Sequence, residues 1–154
     1  MLIPSAVAVR KCLHMTAKAY LCQTRELDKL VIAKKEQIQH IRDQLSGTGI
    51  YLSLDKVSKP SGRNDKMAEL VSSLNTLQDL FVVDIVRMLR LKYDISTLID
   101  KVENVEQRLV LFDRYINIKD WQDICLDNYM SWSTVKRLHA KGIMEIEKIW
   151  SYSE

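Results

Sequence analysis

Apolar residues recur at alternating steps of three and four along two long stretches of the chain, the spacing of one face of an α-helix. The first stretch runs from about Thr16 to Leu45 and contains no glycine or proline. Thr24 and Lys34 are its polar insertions. This heptad pattern predicts a long amphipathic helix that needs a partner. The apolar positions of the seam are Tyr20, Leu27, Val31, Ile38, Ile41 and Leu45.

The second stretch follows a segment of turn-forming residues. Residues 46–64 are rich in Ser, Gly and Pro and predict a loop, and Asn64 is the predicted N-cap of the next helix. Asp84 alone interrupts the apolar seam of that helix, where it either fixes the register or faces solvent. The apolar seam positions are Met67, Leu70, Leu74, Leu77, Phe81, Met88, Leu91, Ile95, Leu98 and Val102.

Two arrangements of these long helices remain open at the level of sequence. They fold back on each other as an antiparallel hairpin, or they pair between two chains as a coiled coil that makes a homodimer. The second helix is the longer by a few turns, so a hairpin alone would leave part of its seam uncovered. This favours some self-association or packing against the C-terminal segment.

Residues 104–154 predict three shorter helices. Asn104 and Gln107 have the spacing of a capping box at the start of the first helix. Asp120 and Ser131 are the predicted N-caps of the other two, and the last helix is expected to continue to about Trp150. The expected fold class is therefore all-α. We expect an N-terminal extension at 1–14, a coiled-coil-like helical hairpin at 15–103 and a three-helix domain at 104–154.

The last two predicted helices have the spacing of a helix-turn-helix. Trp121, Ile124 and Cys125 share one face of a short helix, and turn-tolerant residues follow. Val135 and Leu138 then face inward from the second helix, and the small Cys125 falls where the two helices would cross. This pattern predicts that residues 104–154 form a DNA-binding domain.

The second helix of this pair is the predicted reading helix, the one that enters the major groove. Lys136, Arg137 and Lys141 stand within residues 131–144 without an acidic residue among them. Arg and Lys can read guanine, and hydroxyl groups can hold phosphates or base edges. A solvated helix face is the alternative explanation of these charges. The predicted DNA-binding residues are Ser131, Trp132, Ser133, Thr134, Lys136, Arg137 and Lys141.

Composition and charge are those of a folded helical protein. The 154 residues are 47% hydrophobic and 28% charged, with four glycines and two prolines. The net charge of +3 divides into +6 for residues 1–64, −2 for 65–105 and −1 for 106–154. The C-terminal segment is therefore not basic overall, and its positive charge is local to the reading helix.

Several classes of protein are not indicated by this sequence. Three cysteines without a C-x-x-C pair fit a reducing compartment, and Cys12, His14 and Cys22 have no common zinc spacing. No apolar stretch is long enough for a membrane span. His139 has no nucleophile or carboxylate at catalytic spacing and reads as a packing or surface residue. We therefore expect no enzyme activity, no cofactor, no metal and no membrane partner.

Residues 15–145 resemble small regulators of phages and prophages, the RinA- and ArpU-like group, which is in turn similar to region four of bacterial sigma factors. The matching C-terminal residues are Arg114-Tyr115-Ile116, Trp121, Ile124, Ser131, Ser133-Thr134-Val135 and Arg137-Leu138-His139. The matching upstream residues are Tyr20-Leu21, Arg25-Glu26-Leu27, Asp55-Lys56-Val57 to Ser61, and Asn64-Asp65-Lys66-Met67. The resemblance implies a transcription regulator of phage genes in the bacterial cytoplasm of the host, with double-stranded DNA and host RNA polymerase as partners.

The chain departs from this group at two positions. Tyr129 stands where the turn usually has a glycine with positive φ, and Asn128 could take that conformation if the turn shifts by one residue. Gly142 replaces a usual alanine in the reading helix, at a cost of about 1 kcal/mol of helix propensity. Members of the group commonly begin near Met15, so we expect residues 1–14 to come from an upstream start codon.

Two other functions fit the same pattern. Small terminase subunits also join a helix-turn-helix to an oligomerising helical pair, so a DNA-packaging role is an alternative. A coiled-coil adaptor with a vestigial helix-turn-helix is another. The number of subunits in the assembly distinguishes the regulator from the packaging protein. A monomer or dimer favours a regulator, and a ring of eight or more subunits favours packaging.

Overall fold

The computed structural model describes residues 15–50 and 63–152, and within them it contains helices and no β-strand. The expected all-α class is therefore confirmed. The helices in chain order are α1 (Ala17–Ile50), α2 (Arg63–Ile99), α3 (Val105–Tyr115), α4 (Trp121–Asp127) and α5 (Trp132–Tyr152).

The chain divides after Asp28 and before Met88 into two compact units. One unit consists of Lys29–Arg87, which contains the later part of α1 and the earlier part of α2. The other combines the start of α1 and the end of α2 with α3, α4 and α5. The sequence predicts a domain boundary near residue 103, between the helical hairpin and the three-helix domain. That boundary describes which segments would fold on their own, and it stays a prediction.

In the unit Lys29–Arg87, the polar seam residues of the two long helices meet each other. Lys34 of α1 forms an ion pair and hydrogen bond with Asp84 of α2. Asp84 is only 7% exposed, so the alternative that it faces solvent is wrong. A buried charge is tolerated only with its partner in place, which favours one register of the two helices over its neighbours.

The other unit has a core built from both long helices and the C-terminal helices. Tyr20 and Leu21 of α1 pack with Ile95 and Ile99 of α2. Tyr20 also contacts Trp150, with ring centroids 4.9 Å apart. Leu111, Tyr115 and Ile146 of the C-terminal helices, together with Ala17, Leu98 and Val102, complete this cluster of buried residues.

Three boundaries differ from the sequence predictions. Helix α1 continues to Ile50, so the predicted loop at 46–64 begins too early, and the rest of it lies mostly outside the described residues. Glycine lowers helix propensity by about 1 kcal/mol without preventing a helix, which explains the error. Asn64 is not an N-cap, because α2 already begins at Arg63. Val102 is fully buried but lies beyond the end of α2 at Ile99.

The predicted caps of the shorter helices are largely confirmed. The side chain of Asn104 accepts a hydrogen bond of 3.0 Å from the Gln107 backbone N–H. Ser131 Oγ likewise accepts from the Thr134 N–H at 3.2 Å. Asp120 has the backbone conformation of an N-cap but makes no side-chain capping bond, because its carboxylate pairs with arginines instead.

Gly142 lies where α5 packs closely against α3. A Cβ atom at this position would be 2.8 Å from Cδ1 of Leu111 and 3.5 Å from Cβ of Gln107. Since Leu111 is itself fully buried, it has little room to move. The missing side chain therefore has a packing reason that outweighs its cost in helix propensity.

Candidate nucleic-acid interface

Helices α4 and α5 are joined by a turn and share a small core with α3. Ile124 of α4 and Val135 of α5 are 0% and 1% exposed, and they cluster with Val110 and Leu138. Trp121, Cys125 and Met130 pack against the cluster while half-buried. The predicted inward positions of both helices are therefore confirmed, including the small Cys125 beside the contact.

Tyr129 is the residue that turns the chain between α4 and α5. Its φ is 52°, whereas Asn128 has φ −99°. The alternative in which Asn128 takes the left-handed conformation is therefore wrong. Asn128 instead uses its side-chain amide, which donates to the Ile124 carbonyl at 2.8 Å and to Asp113. The Tyr129 side chain is 98% exposed and adds no packing that would offset its backbone strain.

A buried carboxylate on α3 holds this turn in place. Asp113 is 4% exposed and accepts hydrogen bonds from Asn117 at 2.8 Å and Asn128 at 3.0 Å. Lys119 Nζ lies 2.9 Å from the same carboxylate and 2.9 Å from that of Asp127. Burial raises the pKa of Asp113. The hydrogen bonds from Lys119, Asn128 and Asn117 together lower it by more than burial raises it, so the pKa lies below the ordinary value.

The loop before α4 is fixed from two sides. Ile118 has φ 58°, a strained conformation for a β-branched residue. Arg25 of α1 and Arg114 of α3 both donate to the Lys119 carbonyl, at 3.3 and 2.9 Å. Both arginines also lie near the Asp120 carboxylate, at 3.3 and 3.6 Å. The start of α4 is thus anchored to the rest of its unit.

Three of the predicted DNA-binding residues form a hydroxyl cluster at the start of α5. Ser131 Oγ lies 3.1 Å from Ser133 Oγ and 2.9 Å from Thr134 Oγ1. Ser131 and Ser133 are exposed, and Thr134 is half-buried. These hydroxyls surround the positive end of the helix dipole, the part of a helix best suited to a phosphate group.

The structure brings Ser133, Arg137 and Lys141 into one exposed row along α5. They follow one another at four-residue steps, which places them on one face. Lys148 continues this face seven residues after Lys141 and is also exposed. Lys148 was not among the predicted residues, although its heptad spacing from Lys141 was readable. Acidic residues flank this end, because Glu103 and Glu145 line the same shallow groove as both lysines.

Lys136, one of the predicted DNA-binding residues, does not join this exposed row, although a cation of the reading helix is expected to face outward. Its Nζ lies 3.5 Å from the centroid of the Trp121 ring and 4.9 Å from that of Trp132. Arg114 lies against the same Trp121 ring, at 4.2 Å. Burial and the neighbouring Arg114 charge lower the pKa of Lys136. Cation–π contact, which sequence spacing does not reveal, holds Lys136 against α4.

The aromatic residues around this interface differ in their availability. Trp132 is 53% exposed at the start of α5, with its ring edge-on to Trp121 at 6.4 Å. His139 faces inward, where its Nε2 lies 2.9 Å from the Tyr115 hydroxyl. Burial lowers the pKa of His139, and the positive charges nearby lower it further, to about 4. These charges belong to Lys136, Lys18 and Arg114. His139 is therefore a neutral packing residue at neutral pH, whereas the Trp132 side chain is accessible to a partner.

Comparison of the chain with protein-family models, curated proteins and solved structures found no match. Among the described residues, no helix is long and apolar enough to cross a membrane. The same residues contain no cluster of three or more His, Cys, Asp or Glu side chains placed to hold a metal ion.

Proposed function

We propose that this protein is a DNA-binding transcription regulator of the phage type, in which α4, the turn and α5 act as a helix-turn-helix. The observation that carries the proposal is the exposed row of Ser133, Arg137 and Lys141 on α5. Its spacing follows one face of a helix that can enter the major groove, where Arg137 would contact guanine. The hydroxyl cluster around Ser131 would sit on the adjacent phosphates.

The rigidity of the support favours this reading of α5. The turn is fixed by the Asp113 cluster, and α5 packs on α3 through Leu111 at Gly142. A reading helix must hold its side chains at a fixed distance from base edges, so a well-anchored α5 suits the task. Lys136, held against Trp121, would contribute charge at the rim of the groove rather than a direct base contact.

The charge around α5 suggests that DNA affinity is modest without a partner. Residues 106–154 carry a net charge of −1, and Glu103 and Glu145 lie beside Lys141 and Lys148. Weak DNA binding becomes effective when a tethered protein raises the local concentration. Host RNA polymerase is the partner that the resemblance to sigma region four implies. The same resemblance implies that the protein acts in the cytoplasm of a bacterial host.

The proposal also gives each part of the chain a role. Residues 15–103 would form a coiled-coil-like helical hairpin, with the Lys34–Asp84 pair fixing its register. Residues 104–154 would form the DNA-binding domain. The hairpin would then set the spacing of two DNA-binding domains or contact the polymerase.

The test is binding of the purified protein to fragments of its source genome, over a salt series, with and without host RNA polymerase. Arg137→Ala should weaken binding to the preferred fragment by about 1–3 kcal/mol and relax its specificity. Arg42→Ala is the matched control. It removes the same positive charge, but from an exposed position on α1 rather than on α5. A fragment preference that is the same in wild type, Arg137→Ala and Arg42→Ala would contradict the role of α5.

A small-terminase-like packaging protein or a coiled-coil adaptor is the second candidate. Exposed apolar residues on α2, such as Val82 and Val83 at 57% and 60%, favour an assembly role. Absence of any fragment preference in the binding assay, together with rings of eight or more subunits, would support packaging. A smaller oligomer without DNA binding would support the adaptor.

A further inference from the structure

Helix α2 has a second apolar face in the unit Lys29–Arg87. Leu80, Val83 and Val86 are 48%, 60% and 53% exposed, although all three are large apolar side chains. They are separate from the seam, where Asp84 is buried against Lys34 of α1. A helix that is apolar on more than one side is normally covered on more than one side.

The order of residues on this face is symmetric about Val83. Leu80 and Val86 lie three positions before and after it, and Asp79 and Arg87 lie four positions before and after it. At 100° per residue, all four project within about 60° of the Val83 direction. The pattern of apolar and charged positions on this face is therefore the same in both chain directions, but the charge is negative at one end and positive at the other.

This symmetry makes the face complementary to itself. When a second α2 lies antiparallel with its Val83 opposite the first, each Leu80 meets the Val86 of the other copy. Each Asp79 then meets the Arg87 of the other copy, so two ion pairs flank the apolar centre. Such an interface is isologous, the arrangement of a twofold dimer.

The two charged residues are available for this role. Asp79 and Arg87 are both exposed. The ion pairs formed between described residues include neither of them. A parallel arrangement would instead bring Asp79 to Asp79 and Arg87 to Arg87, which is unfavourable. The charges thus select both the partner and its direction.

We propose that a second copy of this chain docks on the α2 face formed by Asp79, Leu80, Val83, Val86 and Arg87, antiparallel and with Val83 on the twofold axis. This differs from a coiled-coil dimer through the heptad seam, because the seam residue Asp84 stays paired with Lys34 of its own chain. The proposal does not rest on DNA binding, and its test contains no DNA.

The first experiment is a charge exchange on the full chain, followed by sedimentation equilibrium at several salt concentrations. Asp79→Arg and Arg87→Asp should each raise the dimer dissociation constant by about tenfold, because each replaces two ion pairs by two repulsive contacts. The double variant restores both pairs in reversed order and should return the dissociation constant close to that of wild type. Glu36→Arg on α1 is the matched control and should leave the dissociation constant unchanged, because Glu36 is exposed and belongs to α1 rather than to this face of α2.

The second experiment tests the twofold axis by disulfide cross-linking. Val83→Cys should form a disulfide between two copies, identified by mass spectrometry of the linked peptide. Ser72→Cys lies on the same side of α2, but in the antiparallel arrangement it would be about 33 Å from its counterpart at 1.5 Å per residue. It should therefore stay unlinked, whereas a parallel dimer would link it.

Three results would overturn the proposal. The first is a wild-type monomer at concentrations where its helical content is intact. The second is a double charge exchange that dimerises no better than its single variants. The third is cross-linking of Ser72→Cys in preference to Val83→Cys. A monomeric Val83→Cys variant whose introduced thiol is protected from thiol reagents would assign the face to another segment of the same chain instead.

Discussion

Replacing Asp113 by asparagine changes the size of the side chain very little. We nevertheless expect it to destabilise the unit that carries α4 and α5 strongly. One carboxylate oxygen accepts from Asn117 and Lys119, and the other accepts from Asn128. In the variant, one of these oxygens becomes an amide NH₂ group. That group would face a hydrogen-bond donor whichever way the amide is turned.

The magnitude follows from the bonds that are lost. A hydrogen bond to a charged group contributes about 1.5–3 kcal/mol, and a buried donor left without an acceptor costs about 1–3 kcal/mol. Lys119 keeps Asp127 as a partner, so no isolated charge is stranded. We therefore expect Asp113→Asn to lower the free energy of unfolding by about 3 kcal/mol, a large part of the ~5–15 kcal/mol typical of a folded protein.

Urea unfolding followed by tryptophan fluorescence measures this effect, since all three tryptophans belong to the unit concerned. Asp127→Asn is the matched control. It makes the same chemical change at the other carboxylate bonded to Lys119, but the Asp127 side chain is 53% exposed. We expect little change from this control, because exposed ion pairs are well solvated in both the folded and the unfolded state.

The pH dependence provides an independent check. Because the pKa of Asp113 is lowered on folding, its ionised form stabilises the fold above the ordinary value of 3.8, and this contribution is lost as the pH falls. The difference in unfolding free energy between wild type and Asp113→Asn should therefore shrink below that pH. Equal stabilities of Asp113→Asn and Asp127→Asn at pH 7 would refute the reasoning.

Three further predictions concern the backbone and the core. Tyr129→Gly should raise the free energy of unfolding by about 1 kcal/mol, because glycine tolerates φ 52° and the exposed ring loses no packing; a lower urea midpoint would contradict this. Gly142→Ala should lower it by about 1 kcal/mol, since overpacking against Leu111 at 2.8 Å exceeds the gain in helix propensity; a rise in melting temperature would show that Leu111 can yield. Asp84→Ala should cost about 3 kcal/mol by leaving Lys34 near-buried without its partner, and Asp84→Ala with Lys34→Met should recover most of that loss; a double variant no more stable than Asp84→Ala would argue against a buried pair.

Much of the candidate interface was readable from local patterns. The inward positions Ile124, Val135 and Leu138 follow from helical periodicity, and Ser131 follows from its place before an apolar run. The resemblance to the phage regulators placed Tyr129 at the turn, and its positive φ agrees with that position. These features depend on neighbours within a few residues, so the sequence contains the information that fixes them.

Other parts depend on contacts between segments that are distant in the chain. Lys136 has the position of an exposed cation on α5, but Trp121 and Arg114 of two other helices surround it. The predicted capping role of Asp120 was displaced in part by Arg25, which is 95 residues away. Such competition between a local bond and a distant one is decided only when the helices are assembled.

The sequence by itself determined the all-helical class, the two heptad seams and the capping residues Asn104 and Ser131, because periodicity and short-range hydrogen bonds act within one helix. The tertiary structure decided that Lys34 meets Asp84, that Asp113 fixes the turn before α5, and that a side chain at position 142 would press against Leu111. Each of these depends on how two helices are placed against each other. That placement is set by the packing of many side chains at once, which no single stretch of sequence specifies.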